Sequence, residues 1–155
     1  MTPAVHAAKT SGVSFHLHEY DHDPRAESYG EEAAVKLGLD AHRVFKTLVV
    51  ALDTGELVVA VLPVSTQLDL KRLAKVLGAK KAAMAGKKEV ERTTGYVLGG
   101  VSPIGQKKRL RTIMDASAKD CETLYVSAGR RGLQIELTPD DLVSLTRGTF
   151  EIIGR

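Results

Sequence analysis

The stretch VFKTLVVALDTGELVVAVLPV, residues 44–64, decides the fold. Two apolar runs rich in β-branched residues flank an Asp53-Thr54-Gly55 turn, the pattern of an antiparallel hairpin. Neither run alternates cleanly between apolar and polar side chains, so both faces of these strands are expected to be buried and the hairpin to form the centre of a sheet. One residue breaks the pattern. Lys46 places an ammonium inside Val44, Phe45, Leu48, Val49 and Val50, where it must be paired, reach water at a strand end, or bind negative charge.

Helices and further strands surround the hairpin. Upstream, Thr2 and Pro3 open a first helix that Gly12 closes. VSFHLHEY, residues 13–20, then alternates with period two, with Phe15 and Leu17 on one face and His16, His18 and Tyr20 on the other. Ser28 and Glu31 have the spacing of a capping box, so a second helix is expected from Tyr29 to a stop at Gly38. Downstream, DLKRLAKVLG, residues 69–78, carries Leu70, Leu73, Ala74 and Leu77 on one helical stripe. KKEVERTTG (87–95) reads as a shorter helix. Strands at TIMD, TLYVSAG and LQIEL precede a helix capped by Thr138 and opened by Pro139, and TFEII is a last strand. Strands and helices do not alternate strictly. The expected architecture is α+β, a mixed, barrel-like curled sheet flanked by helices, in one domain spanning residues 1–155.

Length and composition agree: 155 residues at 43% hydrophobic content can bury a single core. No apolar run approaches the ~20 residues that cross a bilayer. The opening MTPAVHAAKTSG lacks the basic-then-apolar order of a secretory signal, and a lone cysteine, Cys121, forms no intrachain disulfide, so a cytoplasmic location is expected. The net charge of +3 conceals a segregation. Residues 71–111 hold twelve bases against Glu89 and Glu91, a net of +10, while every other segment is net acidic. Such a block fits either a solvated lysine face or a polyanionic partner, whose condensed counterions each neutralised phosphate would release. Low aromatic content, 5% without tryptophan, argues against a platform that stacks many bases.

Few residues have the makings of conventional catalysis. His16, His18 and His22, with Asp21 and Asp23, invite a metal, but strand alternation already accounts for two imidazoles on one face, and no metal is assigned. Cys121 lies between Asp120 and Glu122, whose charges disfavour a thiolate. No GxSxG, Walker A or strand-borne GxGxxG occurs, and no cofactor is implied. What remains is LGGVSPIGQKKRLR, residues 98–111. Gly99, Gly100 and Gly105 permit positive φ and close backbone approach, and Pro103 stiffens the turn, so its amides could be aimed at an anion or carbonyl oxygen. By itself it could equally be a tight connection between strands.

Taken together, KTLVV, QLDLKRLAKVLGAKK, TGYVLGGVSPIGQKKRLRTIMDA and LYVSAGRRGLQIEL resemble the YbaK family of Cys-tRNA(Pro) and Cys-tRNA(Cys) deacylases over nearly the whole chain. The resemblance implies a freestanding relative of the editing domain inserted in some prolyl-tRNA synthetases. Its substrate would be cysteine mischarged onto proline tRNA, with the substrate's own thiol attacking the ester. Lys46 would then correspond to the family's essential lysine, and Gly99 and Gly100 to its glycine pair, contacting the ester or cysteinyl group. Pro103 and Gly105 would fix the loop, Tyr20, Tyr29 and Ser127 would line the pocket, and Thr47, Ser102 and Gln134 would complete the substrate contacts. Lys71, Lys75, Lys80, Lys81, Lys107, Lys108 and Arg109 would meet tRNA phosphates. Prolyl-tRNA synthetase follows as a partner from the resemblance alone. Gln134 departs from the family, which commonly has an aspartate in RGLDIEL, so an altered aminoacyl specificity is one alternative and a tRNA- or synthetase-binding module without chemistry is another.

Overall fold

A computed structural model describes residues 1–155. The chain runs α1 (Pro3–Ser11), β1 (His16–Glu19), α2 (Tyr29–Leu37), β2 (Phe45–Leu52), β3 (Leu57–Pro63), α3 (Leu70–Val76), β4 (Ala82–Met84), α4 (Lys87–Thr94), β5 (Arg111–Asp115), a 3₁₀ turn (Ala116–Asp120), β6 (Leu124–Arg130), β7 (Leu133–Leu137), α5 (Pro139–Thr146) and β8 (Thr149–Glu151). The fold is mixed α+β, as expected. The barrel-like curl is not: the strands form two open sheets, β1-β7-β6 and β4-β2-β3-β5-β8. Backbone pairing between them is limited to a parallel bridge from Val44 to Tyr125. Closure would require the edges at β4 and β8 to be paired, and both strands are only three residues long.

The hairpin is central, with Lys46 opposite Leu62 and Val49 opposite Val59. Alternate residues feed two separate cores. Phe45, Val49, Val59 and Val61 pack with α1, α4 and the three-stranded sheet, whereas Val50, Leu52, Val58, Ala60 and Leu62 pack with Leu73 of α3 and Ile113 of β5. Burial on both faces explains the unbroken apolar runs. β3 pairs in parallel with β5, and β5 with β8, an arrangement the apolar pattern alone leaves open. Thr2 and Thr138 accept from Val5 N and Asp141 N as N-caps. Ser28 occupies the N-cap of α2 without capping it, so the predicted capping box does not form.

Candidate active site

The bridge at Val44 and Tyr125 fixes where the cavity lies. Beyond it β2 and β6 part, and β4 reaches only Val50–Leu52 of β2, leaving residues 45–48 without a strand on that side. The wedge is a cavity of about 270 Å³ lined by Phe45, Lys46, Thr47 and Leu48 of β2, the start of α2, Leu98, Gly99 and Val101, and by Tyr20, Ser127, Arg130 and Gln134. Register brings Ser127 and Gln134 together: Ser127 and His18 both pair with Gln134, so their side chains leave the same face. A larger groove of about 1080 Å³ lies elsewhere, but its five carboxylates (Asp40, Asp115, Asp120, Glu122, Glu136) would repel a polyanion.

The Lys46 Nζ donates to the Thr66 carbonyl at 2.6 Å. Burial pulls its pKa below the ordinary value, opposed by the charge of Glu31. No carboxylate lies within ion-pair distance of it, so its charge is available to the cavity. Thr47 Oγ1 and Gln134 Oε1 are buried without a hydrogen-bond partner, and both residues line the cavity. A buried oxygen left unpaired costs about 1–3 kcal/mol, a cost that a ligand's donor would remove. Burial raises the Tyr20 pKa, so its phenol stays protonated at neutral pH.

The glycine loop is built to be rigid. Tyr96 Oη donates to the Ile104 carbonyl at 2.6 Å and ties its two ends together. Glu91 Oε2 accepts from Leu98 N at 2.8 Å, and Arg131 Nη2 donates to the Leu98 carbonyl at 2.9 Å. Gly99 adopts φ 94°, and a Cβ there would lie 2.5 Å from Arg131 Nε and 2.7 Å from the Tyr29 ring. Arg131 in turn stacks on that ring at 4.2 Å and bonds its hydroxyl at 2.9 Å. The Gly99 amide has no acceptor in the chain. Gly100 differs: its amide donates to Val97 O at 2.8 Å, and a Cβ would lie 2.8 Å from the Arg130 backbone. Its role is close packing rather than donation to a ligand.

Of the substrate-contact residues expected from sequence, Tyr20, Tyr29, Lys46, Thr47, Gly99, Ser127 and Gln134 line the cavity together, and four do not. Besides Gly100, Ser102 is fully buried, its hydroxyl accepting from Ile104 N and its carbonyl from Gln106 Nε2. Pro103 and Gly105 face a different crevice with Arg109, and Gly105 abuts the Pro3 backbone. These three shape the loop without reaching its open face. Sequence reasoning missed Arg131, whose Tyr29 partner is 102 residues away. Leu98 and Val101 had no signal beyond their place in the loop.

The histidines disperse: His18 bonds Glu136 at 2.9 Å, His22 bonds Glu32 at 2.7 Å, and His16 is exposed. No three His, Cys, Asp or Glu side chains are grouped to hold a metal. The Cys121 thiol is pushed up by burial first, with Asp120 and Asp40 adding to the effect. Lys71, Lys75, Lys80, Lys81, Lys107, Lys108 and Arg109 are exposed, but the block that is continuous in sequence is divided in space. α3 packs on one face of the five-stranded sheet, and α4 with the loop on the other.

The pattern described as aminoacyl-tRNA editing domain matches residues 23–145. The chain belongs to this family. An Enterococcus faecalis protein whose provisional name is Cys-tRNA(Pro)/Cys-tRNA(Cys) deacylase EbsC is 48% identical over 120 residues, covering 77% of this chain and 73% of its own. The proline--tRNA ligase of Geotalea daltonii is 31% identical over 137 residues, which cover 79% of this chain and 24% of the ligase. The fold superposes on the crystal structure of a hypothetical protein with TM-score 0.88 and 25% identity, covering 99% of each chain. It also superposes on one described provisionally as a trans-editing enzyme for prolyl-tRNA synthetase, with TM-score 0.86 and 22% identity over 100% of this chain and 99% of that one. No helix is long and apolar enough to cross a membrane.

Proposed function

We propose that residues 1–155 form one editing domain that removes cysteine from mischarged Cys-tRNA(Pro), and from Cys-tRNA(Cys), acting in trans. The observation that carries this reading is a cavity equipped for an ester but without a nucleophile of its own. Ser28, Thr47 and Ser127 are its aliphatic hydroxyls, and none has an imidazole or carboxylate within hydrogen-bonding distance. A substrate that carries its own attacking group suits such a cavity.

A cysteinyl ester does. Its sulfur attacks its own carbonyl carbon, the carbon–oxygen bond to the ribose breaks, and a four-membered thiolactone leaves. The thiol proton ends on the ribose hydroxyl. Lys46 and the Gly99 N–H, which has no acceptor in the chain, would stabilise negative charge as it develops on the ester oxygens; that both residues line the cavity supports this role. Gln134 Oε1 and Thr47 Oγ1 would accept from the substrate's α-ammonium, a role supported by their lack of any partner in the chain. Phosphates of the acceptor stem are left to the exposed lysines, and prolyl-tRNA synthetase is the natural supplier of the mischarged substrate.

Purified protein incubated with Cys-tRNA(Pro) is expected to release cysteine far above the uncatalysed rate, with loss of at least ~100-fold in Lys46→Met. Ala-tRNA(Pro), which has no thiol, is expected to survive. No release by the unmutated protein would refute the reading, as would equal release of alanine. A second reading, deacylation with changed aminoacyl preference, rests on Gln134: an amide accepts from an ammonium more weakly than the carboxylate common in the family, and selects less for charge.

A further inference from the structure

The cavity is too small for the whole end of a charged tRNA. At about 270 Å³ it falls just below the ~300–1,000 Å³ of sites that enclose a drug-sized ligand. It can take the aminoacyl group and ribose, and the base attached to that ribose must lie outside the mouth. At that mouth the chain exposes two adjoining apolar side chains, Val97 at 68% and Leu98 at 39%, and Leu98 also lines the cavity. Exposed apolar residues on a mobile loop would mean little. These are not on one: Leu98 N is held by Glu91, its carbonyl by Arg131, and the Val97 carbonyl by Gly100 N. Arg130 stands at the same mouth with its guanidinium half exposed and only a 3.5 Å contact to Glu19.

We propose that Val97 and Leu98 form a fixed apolar shelf for the terminal purine base of the charged nucleic acid, with Arg130 meeting the adjoining phosphate. The proposal rests on the aminoacyl-ester reading of the cavity. Continuity with the cavity selects a nucleoside as the occupant, and the cation beside the shelf matches the anionic backbone that follows it.

The test compares two stable probes on the full chain by calorimetry. One is 3′-deoxy-3′-(L-cysteinylamino)adenosine, in which an amide replaces the ester; the other is methyl 3-deoxy-3-(L-cysteinylamino)-β-D-ribofuranoside, which keeps the ribose but has no base. The unmutated protein is expected to bind the nucleoside probe at least roughly fivefold tighter, the low end of what a stacked base contributes. Val97→Ser with Leu98→Ser should bring the two probes within about threefold by weakening only the first. The single Val97→Ser change, at a side chain outside the cavity, should give part of that loss with an unaltered melting point. Arg130→Ala should lower the salt dependence of tRNA binding by about one unit, and an unchanged slope would remove Arg130 from the phosphate contact. Equal affinity of both probes for the unmutated protein, or a preference that survives the double substitution, overturns the shelf and leaves the editing reading standing. Failure of the unmutated protein to bind either probe overturns both.

Discussion

Replacing Gly99 by alanine tests the packing that holds the loop over the cavity. Gly99 sits at φ 94°, which costs an L-residue about 1–2 kcal/mol. The new methyl would also lie 2.5 Å from Arg131 Nε and 2.7–2.8 Å from two Tyr29 ring carbons, and real contacts of that kind do not occur. The ring is fixed near the start of α2, so the guanidinium is what yields. Moving it gives up the stack on Tyr29, about 0.5–1 kcal/mol, and strains or breaks two hydrogen bonds of about 1 kcal/mol each. The expected loss is about 2–4 kcal/mol, which for a chain of this size lowers the melting temperature by roughly 5–15 °C. Cys-tRNA(Pro) deacylation should fall more than ~100-fold, because Leu98 and Gly99 leave their places. A thermal double-mutant cycle with Arg131→Ala separates the clash from the φ strain. Once the guanidinium is gone alanine should cost less, giving a coupling of at least ~1 kcal/mol. Additive effects, or Gly99→Ala with unmutated stability and activity, would refute the reasoning.

Three further outcomes follow from single groups. Gln134→Asp restores a carboxylate at this strand position, one methylene short of the unpaired amide oxygen; KM for Cys-tRNA(Pro) should fall by about tenfold while the melting point drops through burial of charge, and a rise in KM would remove Gln134 from the ammonium contact. Asp115 is buried, which disfavours its charge, but donors from Ser117, Ile153 and Gly154 outweigh burial and hold its carboxyl below the ordinary 3.8. Its contribution is therefore complete above about pH 4 and is lost as pH falls through the lowered value, so Asp115→Asn should cost about 2–3 kcal/mol at neutral pH and shallow the acid limb of a urea-stability profile. Tyr96→Phe leaves the buried Ile104 carbonyl without its donor; a loss of about 1–3 kcal/mol and faster hydrogen exchange across residues 97–103 are expected, and unchanged exchange there would show that the loop is closed by other contacts.

Sequence by itself determined the elements and much of the cavity's chemistry. The hairpin at 44–64 was legible because strands buried on both faces must be apolar throughout, and Lys46 stood out against that run for the same reason. Caps at Thr2 and Thr138 were legible because they are local. Tertiary structure decided the rest. Two open sheets replace the expected curl because edge pairing depends on contacts between strands far apart in sequence, which period-two patterning does not encode. Gly100, Ser102, Pro103 and Gly105 read as one substrate loop with Gly99, yet of the five only Gly99 lines the cavity, because Gly100 packs on the Arg130 backbone, Ser102 is buried with its hydroxyl on Ile104 N, and Pro103 and Gly105 face another crevice, Gly105 against Pro3. The basic block, single in sequence, is divided by a sheet that α3 and α4 cover from opposite sides. Arg131 was invisible for the same physical reason: its stack on Tyr29 exists only once the turn after β6 meets the start of α2.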